Sequence, residues 1–143
     1  MSSSMPDNFN VNPPDLPPLA PTYSHISIAQ LLPSTKLLSF AGQVGHDSIS
    51  NKTPPDFASQ VAVALANVDK CLSTAGATKQ DIVQVRQYVV GLSKQSPEEK
   101  KARADAIEKF MGPCKPPSTL IGVEGLAVPE LLYEIEIVAV VHK

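Results

Sequence analysis

The sequence predicts an α+β fold in which two helices pack on one face of a mixed β-sheet. Two observations lead to this prediction. Short runs rich in β-branched and aromatic residues lie near both ends and in the middle of the chain, and two longer segments with helical periodicity separate them. With 143 residues, 43% of them hydrophobic, the chain suits one ordinary domain with its own core.

Residues 1–21 differ in composition from the rest of the chain. Prolines occupy positions 6, 13, 14, 17, 18 and 21, together with Ser and Asn. Because proline lacks a backbone N–H and has a fixed φ, we expect an extended tail that neither pairs as a strand nor continues a helix. A single domain should then span residues 22–143, and removal of the tail should leave folding unchanged.

The domain begins with a predicted hairpin and a helix. The runs HISIAQL and KLLSFAGQV are typical of strands, and the turn-forming segment Leu32–Thr35 separates them. Thr53 followed by Pro54 then predicts an N-cap with proline at the first helical position. Apolar residues follow at spacings of four and three up to Gly76, which can end the helix: Phe57, Val61, Leu65, Val68 and Leu72.

A strand and a second helix follow. Residues 81–92 alternate as a strand, with Val83, Val85, Gln87 and Val89 on one face. Ser96-Pro97-Glu98-Glu99 predicts a capping box in which Glu99 reaches back to the Ser96 amide. The helix should end at Gly112-Pro113. Its apolar residues are Ala106, Ile107, Phe110 and Met111.

The C-terminal run from Ser118 to Val141 is typical of two strands joined by a turn. In an extended chain, side chains two apart share a face, so Glu134, Glu136 and Val138 lie opposite Tyr133, Ile135 and Ile137. Two helices can cover only one face of the sheet, and the strands also carry apolar residues on the other. Burial of that second face against further copies of the chain, and hence an oligomer, is the expected solution.

Composition argues against several function classes. A net charge of −2 and a pI near 5.9 provide no basic field for a phosphate backbone, so nucleic acid is not the expected partner. The apolar runs are too short to cross a membrane, and the first residues lack a secretory signal, so we expect a cytoplasmic protein. Two cysteines without metal-ligand spacing to the histidines predict reduced thiols and no metal. No phosphate loop is present, and no cofactor is expected.

Three blocks of the sequence closely resemble the Rid family, also called YjgF or L-PSP proteins. They are AGQVGHD from Ala41 to Asp47, the segment from Gln60 to Val89, and the C-terminal run. The resemblance extends from about Tyr23 to His142. It implies a chorismate-mutase-like α+β fold, a homotrimer with small-molecule pockets between subunits, and, in one branch, hydrolysis of reactive enamines and imines to ketones and ammonia.

The resemblance also implies site residues. The family places an acid at the position of Glu134 and uses it to position the attacking water; burial would raise the pKa of this carboxyl and suit proton transfer. Gly42 matches a glycine that lets a ligand approach the backbone, and Ala41 stands where the family commonly has serine. Tyr23 would bring a phenol to the pocket rim. The structural alternatives are a solvated Glu134, a strand bulge at Gly42 and an interface role for Tyr23.

The chain departs from the family before its penultimate strand. Deaminating members carry an arginine there that binds the substrate's carboxylate with two hydrogen bonds. The aligned residue is Ser118, or Thr119 if the alignment shifts by one, and neither is cationic. We therefore expect imino acids with a free carboxylate to be disfavoured. Lys115 and Arg86 are candidate replacements, although each is typical of a solvated surface charge.

Three further polar residues have simpler interpretations. Cys114 lies in a loop near the expected pocket, but without a neighbouring histidine in sequence it is typical of an unreactive thiol. His46 is typical of a loop residue, and Glu136 of an outer-face carboxylate. The sequence thus predicts an enamine or imine hydrolase without the family arginine. The alternatives are a non-catalytic metabolite-binding trimer, a member recruited to a biosynthetic pathway, and an endoribonuclease.

Overall fold

A computed structural model describes residues 8–143, and the first seven residues of the predicted tail lie outside the described part. Seven strands and two helices follow one another along the chain. Their bounds are β1 Asn8–Val11, β2 Ile26–Leu32, β3 Thr35–Phe40, β4 Gln43–Val44, α1 Phe57–Thr74, β5 Ile82–Val90, α2 Pro97–Met111, β6 Ser118–Val123 and β7 Tyr133–His142. The predicted hairpin is β2 and β3. Between residues 8 and 143, neither helix is both long and apolar enough to cross a membrane.

The strands form one mixed sheet in the order β1-β2-β3-β7-β5-β6, and the short β4 also pairs with β7. All pairs are antiparallel except β5 with β6, which are parallel because α2 provides the crossover between them. The prediction of a mixed sheet with two helices is confirmed. The two C-terminal strands are not neighbours, however, because β5 lies between β6 and β7.

The core lies between the sheet and the helices. All five residues of the predicted apolar stripe on α1 are buried. In β7, burial alternates: Tyr133, Ile135 and Ile137 are buried, whereas Glu134 and Glu136 on the other face are only partly covered. The predicted division of this strand into two faces is therefore confirmed, and both carboxylates lie on the face away from the core.

The first helix begins three residues later than the N-cap at Thr53 predicts. Asp56 is the N-cap, and its carboxylate accepts a hydrogen bond from the Ser59 amide at 2.9 Å. Pro54 is followed by Pro55, and a residue before proline is disfavoured in the helical region, so the helix cannot start at Pro54. The C-terminal end is as expected, since Gly76 follows the helix with φ of +71°.

Two finer predictions about β5 and α2 need correction. The pairing of β5 with β7 shifts register between Ile82 and Gln84, so Val83 is displaced and exposed instead of sharing the buried face of Val85. At the start of α2, the Ser96 hydroxyl accepts from the Glu99 amide at 3.1 Å, but the reciprocal bond from Glu99 to the Ser96 amide does not form.

Residues 8–21 pack against the body of the protein instead of extending away. Asn8–Val11 pairs antiparallel with β2, which corrects the expectation that this segment forms no strand; these four residues contain no proline. Leu16 is 2% exposed and belongs to the core. The Asn12 side-chain oxygen accepts from the His25 amide at 2.7 Å, and Asp15 pairs with Lys70 on α1 at 3.5 Å.

Candidate functional site

A cavity of about 410 Å³ lies where the N-terminal segment, the β3–β4 turn and the β6–β7 connection meet. It brings together four of the predicted site residues, Tyr23, Ala41, Gly42 and Glu134. Among residues 8–143, Glu134 is the one charged group that lines the cavity. Six uncharged residues complete the wall: Leu19, Ala20, Val44, Ala127, Val128 and Leu131.

Glu134 enters this cavity from β7, where it lies between Val44 of β4 and Tyr88 of β5. Burial raises the pKa of its carboxyl above the ordinary value, and the charge of Glu136 raises it further. A carboxylate in such surroundings binds a proton more readily than a solvated one does. It is therefore suited to exchange a proton with a bound water or substrate.

The backbone at Gly42 forms the surface on which the Glu134 carboxylate rests. A Cβ atom at position 42 would lie 1.9 Å from Oε1 of Glu134 and 2.6 Å from its Cδ. No side chain larger than a hydrogen atom fits there while Glu134 keeps its position. The lack of a side chain at Gly42 therefore determines which position the Glu134 carboxylate can occupy.

A buried amide fixes the turn that carries Gly42. The Nε2 atom of Gln43 donates to the Ala41 carbonyl at 3.0 Å and to Nδ1 of His25 at 2.9 Å. Since Nδ1 accepts, the ring proton of His25 is on Nε2, and burial lowers the pKa of this histidine. The Ala41 amide in turn donates to the His25 carbonyl at 2.7 Å. The sequence did not reveal His25 or Gln43 as part of this support.

A second buried amide holds the opposite wall. Gln60 on α1 donates through Nε2 to the carbonyls of Pro54 and Glu130 at 2.9 and 2.8 Å, and its Oε1 accepts from the Leu132 amide at 2.8 Å. It thereby connects α1 to the β6–β7 connection directly before Glu134. The Gln60 side chain fits only because residue 45 is glycine, since a Cβ atom at Gly45 would lie 2.4 Å from Cβ of Gln60.

Tyr23 lines the cavity and is 38% exposed. Its hydroxyl accepts a hydrogen bond from the Leu19 amide at 3.1 Å, and its ring meets His25 edge to face at 5.5 Å between centroids. The N-terminal segment is thus attached to the cavity wall. Leu19 and Ala20, which the sequence assigned to a tail, line the cavity as a result.

Glu136 lies outside the cavity and is paired on the open face of the sheet. Its Oε1 accepts from Nη1 of Arg86 at 3.1 Å and from the Tyr88 hydroxyl at 3.2 Å. Glu136 and Arg86 therefore form an ion pair with each other. Arg86 is therefore committed to a carboxylate of the same chain.

The structure places Ser118 and Thr119 away from the Glu134 cavity of the same chain. Ser118 pairs with Val85 on the helix-covered face, whereas Thr119 pairs with Arg86 on the open face that carries Glu136. Ser118 lines a second cavity of about 490 Å³ between α2 and the edge of the sheet. Arg103, Cys114 and Lys115 line that cavity as well.

Arg103 is the cation that sequence reasoning did not single out. It lies on α2, fifteen positions before Ser118 in the sequence, and only the packing of α2 on β5 and β6 brings the two together. Lys115, a candidate from the sequence, lines the same cavity.

His46 is a loop residue whose Nδ1 contacts the Thr53 hydroxyl at 2.8 Å. Within residues 8–143, no three His, Cys, Asp or Glu side chains are grouped as a metal site would require.

Comparison with known proteins identifies the family. The profile of the family described as Endoribonuclease L-PSP matches residues 16–141. A search of proteins with curated functions found no match.

Solved structures with the same fold support this result. Rv2704 of Mycobacterium tuberculosis, described as a member of the YjgF/YER057c/UK114 family, is 29% identical over 82% of this chain and 85% of its own, with a TM-score of 0.65. The protein YJGH is 26% identical over 96% of this chain and 98% of its own, with a TM-score of 0.78. Mmf1 of yeast reaches the same TM-score at 20% identity, over 95% of this chain and 99% of its own, which shows the fold.

Proposed function

Because this chain belongs to the Endoribonuclease L-PSP family, the Rid/YjgF proteins, we propose that it hydrolyses small reactive enamines or imines to carbonyl compounds and ammonia. One observation carries the proposal. Glu134 has a raised pKa and rests against the Gly42 backbone in a cavity that is otherwise uncharged. A single proton-exchanging carboxylate in apolar surroundings is what the addition of water to a C=N bond requires.

In the proposed reaction, Glu134 accepts a proton from water as the water oxygen bonds to the imine carbon. The electron pair of the C=N bond moves to nitrogen, and Glu134 returns its proton there, which gives a neutral carbinolamine. Glu134 next accepts the proton of the carbinolamine hydroxyl and passes it to the same nitrogen. The C–N bond breaks with its electron pair on the departing ammonia, and the electron pair of the O–H bond forms the carbonyl. Imine and water are consumed, and one carbonyl compound and one ammonia are produced. An enamine enters the same path after it takes up a proton at carbon to become the imine.

The assembly we propose is a homotrimer with its sites between subunits. The open face of the sheet carries partly covered apolar residues such as Val138 and Val140 beside the Glu136–Arg86 pair. Ser118 and Glu134 line different cavities of one chain, so a site that uses both needs a neighbouring copy. Light scattering tests this: a monomer at micromolar concentration would contradict the trimer and the intersubunit site.

Ammonia release from freshly generated 2-iminopropionate and 2-aminoacrylate tests the activity. We expect the protein to accelerate release over the spontaneous rate, and Glu134→Gln to lose about 100-fold or more, since a positioned proton-transfer group contributes about 10² to 10⁴. Glu124→Gln removes an exposed carboxylate from the β6–β7 connection and serves as the matched control. No acceleration by the wild type, or equal loss in both variants, would contradict the proposal.

Two other functions can be distinguished from hydrolysis, one by the ammonia assay and the other by RNA cleavage. A purely binding role is favoured by the absence of a cation from the Glu134 cavity, and it predicts ligand binding without ammonia release. Ribonuclease activity is named in the description of the family, but a net charge of −2 and a carboxylate as the sole charge of the cavity both disfavour a phosphodiester. RNA cleavage that Glu134→Gln abolishes would favour the ribonuclease instead.

A further inference from the structure

The second cavity, between α2 and the β5–β6 edge, has a different character from the Glu134 cavity. It measures about 490 Å³, and its charged lining residues are Arg103, Lys115 and Glu108. Ser118 supplies a hydroxyl at one side. Its apolar wall is formed by side chains from β5 and α2: Val85, Ala104, Ile107 and Met111. The two cations outnumber the one carboxylate, and together with the hydroxyl and the short apolar wall they suit a small organic anion.

One buried amide holds Arg103 and Ser118 side by side. Oε1 of Gln87 accepts from Nη1 of Arg103 at 3.3 Å, while Nε2 of the same amide donates to Oγ of Ser118 at 3.4 Å. Oε1 also accepts from the hydroxyl of the fully buried Tyr133 at 2.9 Å. With two donors on one atom of the amide, its orientation is fixed, and Gln87 is only 3% exposed. The guanidinium and the hydroxyl therefore both contact one buried amide of fixed orientation.

The charge of Arg103 has no acidic partner among the described residues. The four ion pairs in residues 8–143 involve other cations. The Nε atom of Arg103 is buried without a hydrogen-bond partner, and the bond to Gln87 is long. A guanidinium offers five donors, so most of its hydrogen-bonding capacity is unused. A partly buried cation in this state is costly unless an anion binds it.

Arg103 also borders a neighbouring cavity, so its guanidinium can be approached from two sides. This third cavity, of about 580 Å³, lies along the edge strand β6 and is lined by Leu92, Leu120 and the cation Lys100. None of the described residues that line it is acidic. The charged residues that line the two cavities are thus three cations, Lys100, Arg103 and Lys115, and one carboxylate, Glu108, although the net charge of the whole chain is −2.

We propose that Arg103 and Ser118 bind the carboxylate of a small 2-oxo or 2-imino acid. The planar fork of arginine matches the two oxygens of a carboxylate, the Ser118 hydroxyl can donate a third hydrogen bond, and Lys115 adds charge at the rim. The inference deepens the proposed function and rests on it for the identity of the ligand. The cation that Ser118 lacks is thus supplied by α2 and not by a strand.

Binding of stable product-like compounds tests the site without turnover. Calorimetric titration compares 2-oxobutanoate with butan-2-one, which lacks the carboxylate, and with inorganic phosphate. We expect 2-oxobutanoate to bind tightest. Arg103→Gln should weaken its binding by about tenfold or more, and Arg103→Lys by less, since a charged hydrogen bond is lost in the first variant and one charge is kept in the second. Lys101→Gln, two residues before Arg103 on α2 and paired with Asp105, is the control with the same charge change.

Each other outcome would overturn the proposal. Equal affinity for 2-oxobutanoate and butan-2-one, or unchanged binding by Arg103→Gln, would show that Arg103 does not bind the carboxylate. Equal weakening by Lys101→Gln would reduce the effect to overall charge, and equally tight phosphate binding would indicate an unselective anion site. Thermal unfolding of each variant shows whether loss of the bond to Gln87 destabilises the protein. If Arg103→Gln weakens the binding of 2-oxobutanoate and of butan-2-one equally, and also lowers the melting temperature, Arg103 has a structural role only.

A turnover measurement separates this inference from the proposed function. If the chain hydrolyses 2-iminobutanoate, Arg103→Gln should raise KM for this substrate about tenfold or more, and should raise KM less for the imine of butan-2-one, which has no carboxylate. If no imine is hydrolysed while 2-oxobutanoate binding still depends on Arg103, the proposed function fails and the site stands. If imines are hydrolysed but neither binding nor KM depends on Arg103, the site fails and the proposed function stands.

Discussion

Oε1 of Glu134 occupies the space that a Cβ atom at position 42 would need, 1.9 Å from where that atom would be. The two residues are far apart in sequence, and the pairing of Gln43–Val44 with β7 brings them together. Hydrogen bonds from Gln43 fix the turn, and the β-sheet fixes Glu134. The position of the carboxylate therefore depends on the absence of a side chain at Gly42.

Gly42→Ala should displace the Glu134 carboxylate while leaving the fold intact. The φ of Gly42 is not in the left-handed region, so alanine is tolerated by the backbone. The atoms it would meet belong to the movable end of Glu134, so the side chain can rotate away. We expect loss of most of the ammonia release, about 10²-fold, since a small misplacement of a reacting group costs this much. The melting temperature should change little.

Gly125→Ala is the matched control for this substitution. A Cβ atom at Gly125 would meet nothing within 4 Å, and its φ also lies outside the left-handed region. It should change neither activity nor stability by much. If Gly42→Ala kept full activity, the contact between Gly42 and Glu134 would have no role in positioning the carboxylate.

Glu136→Gln should move the acid limb of the pH–rate profile to lower pH. The charge of Glu136 is the second cause, after burial, of the raised pKa of Glu134. Removing it lowers that pKa, and the released Arg86 adds a positive charge nearby, which lowers it further. Since the proposed reaction requires ionised Glu134, activity lost on acidification should be lost at a lower pH than in the wild type. An acid limb that stays in place would show that Glu134 is not the group that titrates.

Leu16→Ala should destabilise the protein, contrary to the expectation for a dispensable tail. Leu16 is 2% exposed and packs in the core, so its truncation should cost about 2–5 kcal/mol. Leu19→Ala is the control from the same segment, because Leu19 is 54% exposed. Chemical denaturation measures both. Equal stability of the Leu16 variant and the wild type would mean that the segment contributes nothing to the core.

The features that the sequence predicted well are those that depend on local spacing. The two faces of β7 follow from the period of two in a strand, and the buried stripe of α1 follows from helical periodicity. The start of α1 was misplaced because the effect of Pro55 on Pro54 outweighs the N-cap preference of Thr53.

The features that the sequence did not predict depend on contacts between distant elements. Proline content indicated a tail, but whether Leu16 finds a hydrophobic partner depends on the packing of its segment against the helix and the sheet. The juxtaposition of Arg103 and Ser118 likewise requires the packing of α2 against β5 and β6. From the sequence, only two cations were candidates: Lys115, which is close to Ser118 along the chain, and Arg86, which lies on a predicted strand.

Moving the guanidinium from α2 to β6 should preserve carboxylate binding. Arg103→Gln removes the cation, and Ser118→Arg introduces one on the same side of the sheet and beside the same Gln87 amide. The double variant should recover most of the 2-oxobutanoate affinity that Arg103→Gln loses. Ser118→Arg alone should be less stable than the double variant, because two guanidinium groups would then share one cavity.

The control for this exchange is Thr119→Arg in the Arg103→Gln background. Thr119 is the next residue of β6, but it pairs with Arg86 on the opposite face of the sheet, so an arginine there would point away from the cavity of Ser118. We expect no recovery of 2-oxobutanoate binding in this variant, although its net charge equals that of the Ser118 exchange. Recovery by Thr119→Arg but not by Ser118→Arg would place the carboxylate on the open face of the sheet. Recovery by both would show that overall charge, and not the position of the guanidinium, determines binding.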